Sequence, residues 1–289
     1  MADRGSLFVG ADGCTQAIFH GPGLALVDKG SLFVGADGCK AGWFTVLLTE
    51  GADWKVVVFP DVSSLWNKCS SASVILLDVP IGLRGGGSQE RLCDIEARKL
   101  LGPKRGSSVF PAPCRPAVCQ GLSYKEASDV NEQRTGRRLS LQTWNIIPKI
   151  REVDILLSEH ESARSRVREI HPEICFWALA GRPMEHNKRT REGFSERKQV
   201  LQSVYPHTND VISCALSTYR RKEVARDDIL DALSAAVTAT VGMEGLVSIP
   251  ETPQFDERGL RMEMVYASRQ CVRETLEGVQ LLTGLLRGE

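Results

Sequence analysis

The chain carries no net charge, because Lys plus Arg equal Asp plus Glu at 36 each. That excludes a global field drawing the molecule to nucleic acid or anionic lipid, so a polyanionic partner must be held by local patches. No Cys-x-x-Cys pair occurs among the nine cysteines (Cys14, Cys39, Cys69, Cys93, Cys114, Cys119, Cys175, Cys214 and Cys271), and their number is odd. Such scatter argues for free thiols in a reducing compartment, and against a disulfide framework or a structural zinc site. No stretch approaches about 18 uninterrupted apolar residues, and no apolar run follows a basic start. A cytoplasmic protein with no membrane association is therefore expected. Aromatic residues make up only 6% of the chain, too few and too scattered for a base-stacking platform. The 42% of residues that are hydrophobic suffice for a substantial core.

What is present begins with a repeat. GSLFVGADGC occurs at 5–14 and again, identically, at 30–39. An architectural repeat recurs with a whole supersecondary unit, whereas the first copy is followed by TQAIFHGPGLALVDK, which reads as a linker. Residues 1–29 are thus expected to be a poorly ordered, duplicated extension, with Asp12 as the spare acid and Asp37 as the functional one. The main domain is expected over 30–267 with a helical insertion at about 120–160, followed by a C-terminal helix over 268–289.

From Ser31 onward, Leu32–Val34 leads to Asp37, and runs at Trp43–Leu48 and Trp54–Phe59 complete an antiparallel meander. Ser73–Asp78 (SVILLD) has the continuous apolar character of a strand buried on both faces, and it ends in Asp78 because Pro80 has no amide hydrogen for a central strand. Gln89–Leu101 is helical and should stop at Gly102-Pro103, with Arg91, Asp94 and Arg98 on one face. Those three form either a solvated salt-bridge row or phosphate contacts; six basic residues stand against two acidic between Arg91 and Arg115. Tyr124–Leu157 shows two helical patterns broken at Gly136, with a restart at Pro148. Ser165–Ile170 reads as a strand running into His171-Pro172-Glu173, where Glu173 is a third acid past a strand and His171 is expected to make a backbone hydrogen bond. A second basic patch, Arg182–Lys198, contains Lys188. Arg226–Val241 is a helix whose small face of Ala232, Ala235, Ala236 and Ala239 permits close approach to a sheet. Asp228 and Asp231 stand three apart near its start, where capping also favours acids. A β-run at Leu260–Tyr266 and an amphipathic helix at Arg269–Leu286 finish the chain.

Taken together, separate elements bring Asp37, Asp78, Glu173, Asp228 and Asp231 to one edge of a sheet, and converging acids repel one another unless cations lie between them. Oxygen ligands without clustered His or Cys select Mg²⁺ or Mn²⁺, and two such ions about 4 Å apart are the usual device of phosphodiester cleavage. The expected fold is α/β, a mixed sheet of a three-stranded antiparallel meander plus parallel strands, flanked by helices.

This order resembles the ribonuclease-H-like fold, and DILDAL at 228–233 resembles the DxxDAL helix of RuvC-type resolvases. More closely, ADGCKAGW (36–43), DVPIGL (78–83), RLCDIEARKLLG (91–102), SVFPAPCR (108–115), HPEICFWALAG (171–181) and DDILDALSAA (227–236) together resemble the predicted-nuclease family catalogued as domain of unknown function 429. The resemblance implies metal ligation by Asp37, Asp78 and Asp231, with Glu173 or Asp228 orienting water. It also implies Arg91, Asp94, Arg98, Arg115 and Lys188 as supporting or phosphate-contacting residues. The activity implied is a two-metal nuclease acting on DNA or RNA and leaving a 5′-phosphate. The alternatives are an inactive scaffold with the same fold and, less well supported, an actin-like phosphotransferase. The last needs two copies of the fold, and the two GADGC segments start too close together to contain them.

Overall fold

The computed structural model describes residues 18–20, 31–50 and 53–287. Strands β1 (Ile18–His20), β2 (Leu32–Cys39), β3 (Gly42–Thr49) and β4 (Trp54–Phe59) are followed by helix α1 (Val62–Cys69) and strand β5 (Val74–Leu77). Helices α2 (Leu92–Arg105), α3 (Tyr124–Thr135), α4 (Leu141–Glu159) and α5 (Glu161–Arg164) precede strand β6 (Val167–Glu169). Helices α6 (Pro172–Ala180), α7 (Arg191–Gln202), α8 (Thr208–Thr218) and α9 (Arg226–Ala239) come next, then β7 (Val247–Phe255), β8 (Arg261–Tyr266) and α10 (Arg269–Arg287).

The main sheet has the order β1-β4-β3-β2-β5-β6. β2, β3 and β4 form the expected antiparallel meander, and β5 and β6 run parallel to β2. This mixed sheet between helices is consistent with a ribonuclease-H-like fold. Ile18–His20, within the stretch that reads as a linker, pairs with β4 as an edge strand. The rest of the expected N-terminal extension, including the first decapeptide copy and Asp12, lies outside the described residues.

Burial on the two faces follows the period-2 alternation of the strands. Phe33, Val74 and Leu76 join a core with residues of α6, α8 and α9, whereas Val34, Ala36, Ile75 and Leu77 join a core with α1 and α4. A third, smaller cluster lies between α2 and the β7–β8 ribbon.

Three elements differ from the sequence expectation. α4 runs unbroken through Pro148, because Ile147, Ile150, Val153 and Leu156 are all buried and their packing outweighs the lost backbone bond. α2 kinks at Gly102 (φ 64°) and resumes for one turn to Arg105 instead of ending. β7 was not expected at all, since Pro250 and Pro253 interrupt its pattern; both fall in the irregularity between Ile249 and Gln254, where no ladder amide is required. Among the described residues no helix is long and apolar enough to cross a membrane.

Candidate metal centre

Alternation along β2 sends Phe33 and Gly35 toward α9, and Asp37 follows on the same side. Along β5, Val74 and Leu76 face that side, and Asp78 is the next residue in phase. The Asp78 amide donates to the Ala36 carbonyl at 3.1 Å, so the β2–β5 register continues to the two acids and leaves them as neighbours. The third element is α9. A Cβ on Gly35 would stand 2.0 Å from the Ala236 nitrogen and 2.4 Å from the Ala232 carbonyl oxygen, so only glycine admits the helix this close. Asp231 precedes Ala232 and is thereby lowered onto the strand ends. One turn earlier, Asp228 Oδ2 accepts the Ala225 N–H at 2.8 Å and caps the helix.

Asp37, Asp78 and Asp231 each offer a carboxylate oxygen within 4.8 Å of the others. Asp37 is 8% exposed and Asp231 1%. Burial first, then the charge of Asp78, Asp228 and Asp231, raises the Asp37 carboxyl well above its ordinary range. Burial and Asp231 push Asp78 up to about 8. Burial also raises Asp231, against the pull of Lys188, and pushes Asp228 to about 6. Lys188 Nζ donates to Asp231 Oδ2 at 2.5 Å. Burial works against its ammonium, but Asp231, Asp37 and Asp78 outweigh that and raise its pKa. The other oxygen, Asp231 Oδ1, is buried with no hydrogen-bond partner. A buried carboxylate oxygen without a donor is costly unless a cation meets it. With three converging hard-oxygen donors and that orphan, this acid cluster could hold a metal ion.

A sequence model of the family described as "Protein of unknown function (DUF429)" matches residues 35–254, about three-quarters of the 289-residue chain. The chain belongs to the DUF429 family. No curated protein and no solved structure matches it. The DUF429 match spans all five candidate acids and stops before β8 and α10.

The other expected site residues of this DUF429 chain are placed differently. Glu173, on the first turn of α6, forms a buried ion pair with Arg197 and stands outside the three-acid group, though its charge still acts on Asp231. Arg91 is fully engaged. It forks onto Glu169 at 2.8 and 2.9 Å and onto Asp94 at 2.5 and 3.1 Å, and it donates to the Ile81 carbonyl at 2.9 Å. Asp94 also receives the Ala112 amide at 3.3 Å, so Arg91 and Asp94 form a buried pair whose guanidinium nitrogens all have protein partners. Arg98 binds Glu90 and the Val109 carbonyl. Arg115 is locked to Asp154 at 2.8 Å and Asp256 at 2.5 Å. Of the five supporting candidates, only Lys188 touches the acid cluster.

Glu169 is the acid that sequence reasoning passed over in favour of Glu173. It ends β6 opposite Leu77, on the face away from α9, accepts the Ile81 amide at 2.5 Å, and is pushed up to about 7, by burial against the pull of Arg91. Its charge acts on Asp78, which links the Arg91 network to the cluster. The available signal was an acid next to the end of the Ser165–Ile170 run. His171 makes the expected backbone contact, Nε2 to the Ser108 carbonyl at 3.3 Å, and burial lowers its pKa to about 4.

Proposed function

We propose that this protein is a metal-dependent nuclease that hydrolyses phosphodiester bonds of DNA or RNA. The observation that carries the reading is the group of Asp37, Asp78 and Asp231, drawn from three elements to the ends of β2 and β5 and left with an unpartnered buried oxygen. Two divalent ions in such a site supply activation of water and neutralisation of charge on the leaving oxygen. In this reading Asp37, Asp78 and Asp231 hold the ions. Asp228, fixed through Oδ2 by the Ala225 amide, keeps Oδ1 for a proton from the attacking water. Its pKa of about 6 leaves it ionised near neutrality, as a base requires. Glu173 is the weaker candidate for that role because Arg197 already engages it. Lys188 steadies Asp231 and in this reading would lend a positive charge to the scissile phosphate.

The test is cleavage of single-stranded, double-stranded and junction DNA, and of RNA, with Mn²⁺ or Mg²⁺. Wild type should cleave at least one substrate, and Asp37→Asn none. Metal-dependent cleavage retained in cleanly purified Asp37→Asn protein would remove the assignment.

One observation favours a second reading. Lys188 already brings a positive charge to Asp231, and a site neutralised by its own lysine would suit a catalytically silent binding protein. That reading requires no response to Mn²⁺ in either stability or activity.

A further inference from the structure

Apart from the acid cluster, the loop after β5, the start of α2, the 107–114 segment and the α3–α4 junction enclose a cleft of about 440 Å³. That volume is within the range of small-molecule sites. Five arginines line it with a single acid, Glu90. Two of them are neutralised elsewhere, Arg91 by Asp94 and Glu169, and Arg138 by Asp129 and Glu132. Arg98 and Arg137 both bind Glu90, so two guanidinium groups share one carboxylate. Arg84 makes no side-chain hydrogen bond or ion pair among the described residues, and its Nε is buried without a partner. Three cations therefore stand against one anion.

Arg84, Arg98 and Arg137, with Glu90 as the one carboxylate among them in the lining, present guanidinium groups to a phosphate monoester, which carries about −1.5 to −2 near pH 7. Guanidinium forks suit its oxygens geometrically. Val109, Phe110, Pro111 and Leu139 add an apolar surface to a lining that otherwise carries uncharged polar side chains such as Gln89, Asn131 and Gln142. Inorganic phosphate would leave that surface unused, and a planar base would cover it.

We infer that this cleft binds a nucleotide through a phosphate monoester, either as a free nucleoside monophosphate or as the phosphorylated end of a strand. The inference does not depend on the acid cluster being catalytic.

The test is calorimetric titration of the full chain, in EDTA, with the four nucleoside 5′-monophosphates, a 5′-phosphorylated and a 5′-hydroxyl oligonucleotide, and inorganic phosphate. At least one nucleoside monophosphate or the phosphorylated oligonucleotide should bind wild type. Arg84→Gln, which breaks no hydrogen bond or ion pair among the described residues, should weaken it about tenfold or more. Glu90→Gln, which removes the negative charge that Arg98 and Arg137 share, should tighten it; a merely structural role for these residues would not reverse the sign. Preference for the oligonucleotide assigns a strand end, and equal or better binding of the monophosphate assigns a free nucleotide. The proposal is overturned if none of these binds at millimolar concentration, if inorganic phosphate or the 5′-hydroxyl strand binds as tightly, or if neither variant changes the affinity.

Discussion

At the scale of single residues, Lys188 holds the balance of the acid cluster. Its ammonium lies 2.5 Å from Asp231 and 3.7 Å from Asp227, and it is the cation that the cluster itself provides. Lys188→Met should destabilise the metal-free protein by about 2 kcal/mol, less than loss of a fully buried pair would cost because the side chain is 34% exposed. The same change removes a competing charge, so the rise in melting temperature on adding Mn²⁺ should be larger than in wild type. An equal or smaller rise would show that the lysine assists the ion instead of competing with it. Asp37, Asp78 and Asp231 were legible in the sequence because each lies within or directly after a run whose pattern marks a regular element. The pairing of Arg91 with Glu169 and of Glu173 with Arg197 was not, because those partners lie 78 and 24 residues away and nothing local marks them. Both would otherwise pass for surface charges.

At the scale of elements, the site depends on how closely α9 lies on β2. The small face of Ala232, Ala235 and Ala236 was readable from composition and spacing, and so was the apolar run of β5. Their mutual depth was not, since it also needs the missing side chain at Gly35, in a strand whose other residues look ordinary. Gly35→Ala would place a carbon against helix backbone that cannot rotate away. It should cost about 3 kcal/mol or more, read from the denaturation midpoint, and weaken Mn²⁺ binding by lifting Asp231 from the strand ends. Full stability and unchanged metal response in that variant would contradict the packing described. β7 and the unbroken α4 escaped the sequence for a related reason. Proline is a local signal, and in both cases tertiary packing or a ladder irregularity made its missing hydrogen immaterial.

At the scale of the whole molecule, the acids set the pH dependence. An acid whose folded pKa lies above its unfolded value binds more protons in the native state, so its contribution to stability is lost as pH rises. Asp78, whose ordinary value is 3.8 and folded value about 8, and Asp228, about 6, both act in that direction. Without divalent ions the melting temperature should therefore climb as pH falls from about 8 toward 6. With saturating Mn²⁺ the trend should flatten or reverse, because ligation requires the ionised acids. The central claim is that these carboxylates form a metal centre. Its most direct test is a Mn²⁺ titration of thermal stability near pH 8 on wild type and Asp37→Asn side by side. The account predicts a rise of about 5 °C for wild type at a hundredfold excess over the dissociation constant. For Asp37→Asn it predicts a higher starting point, from relieved repulsion, and no rise. Equal responses in the two proteins, or none in either, would contradict it.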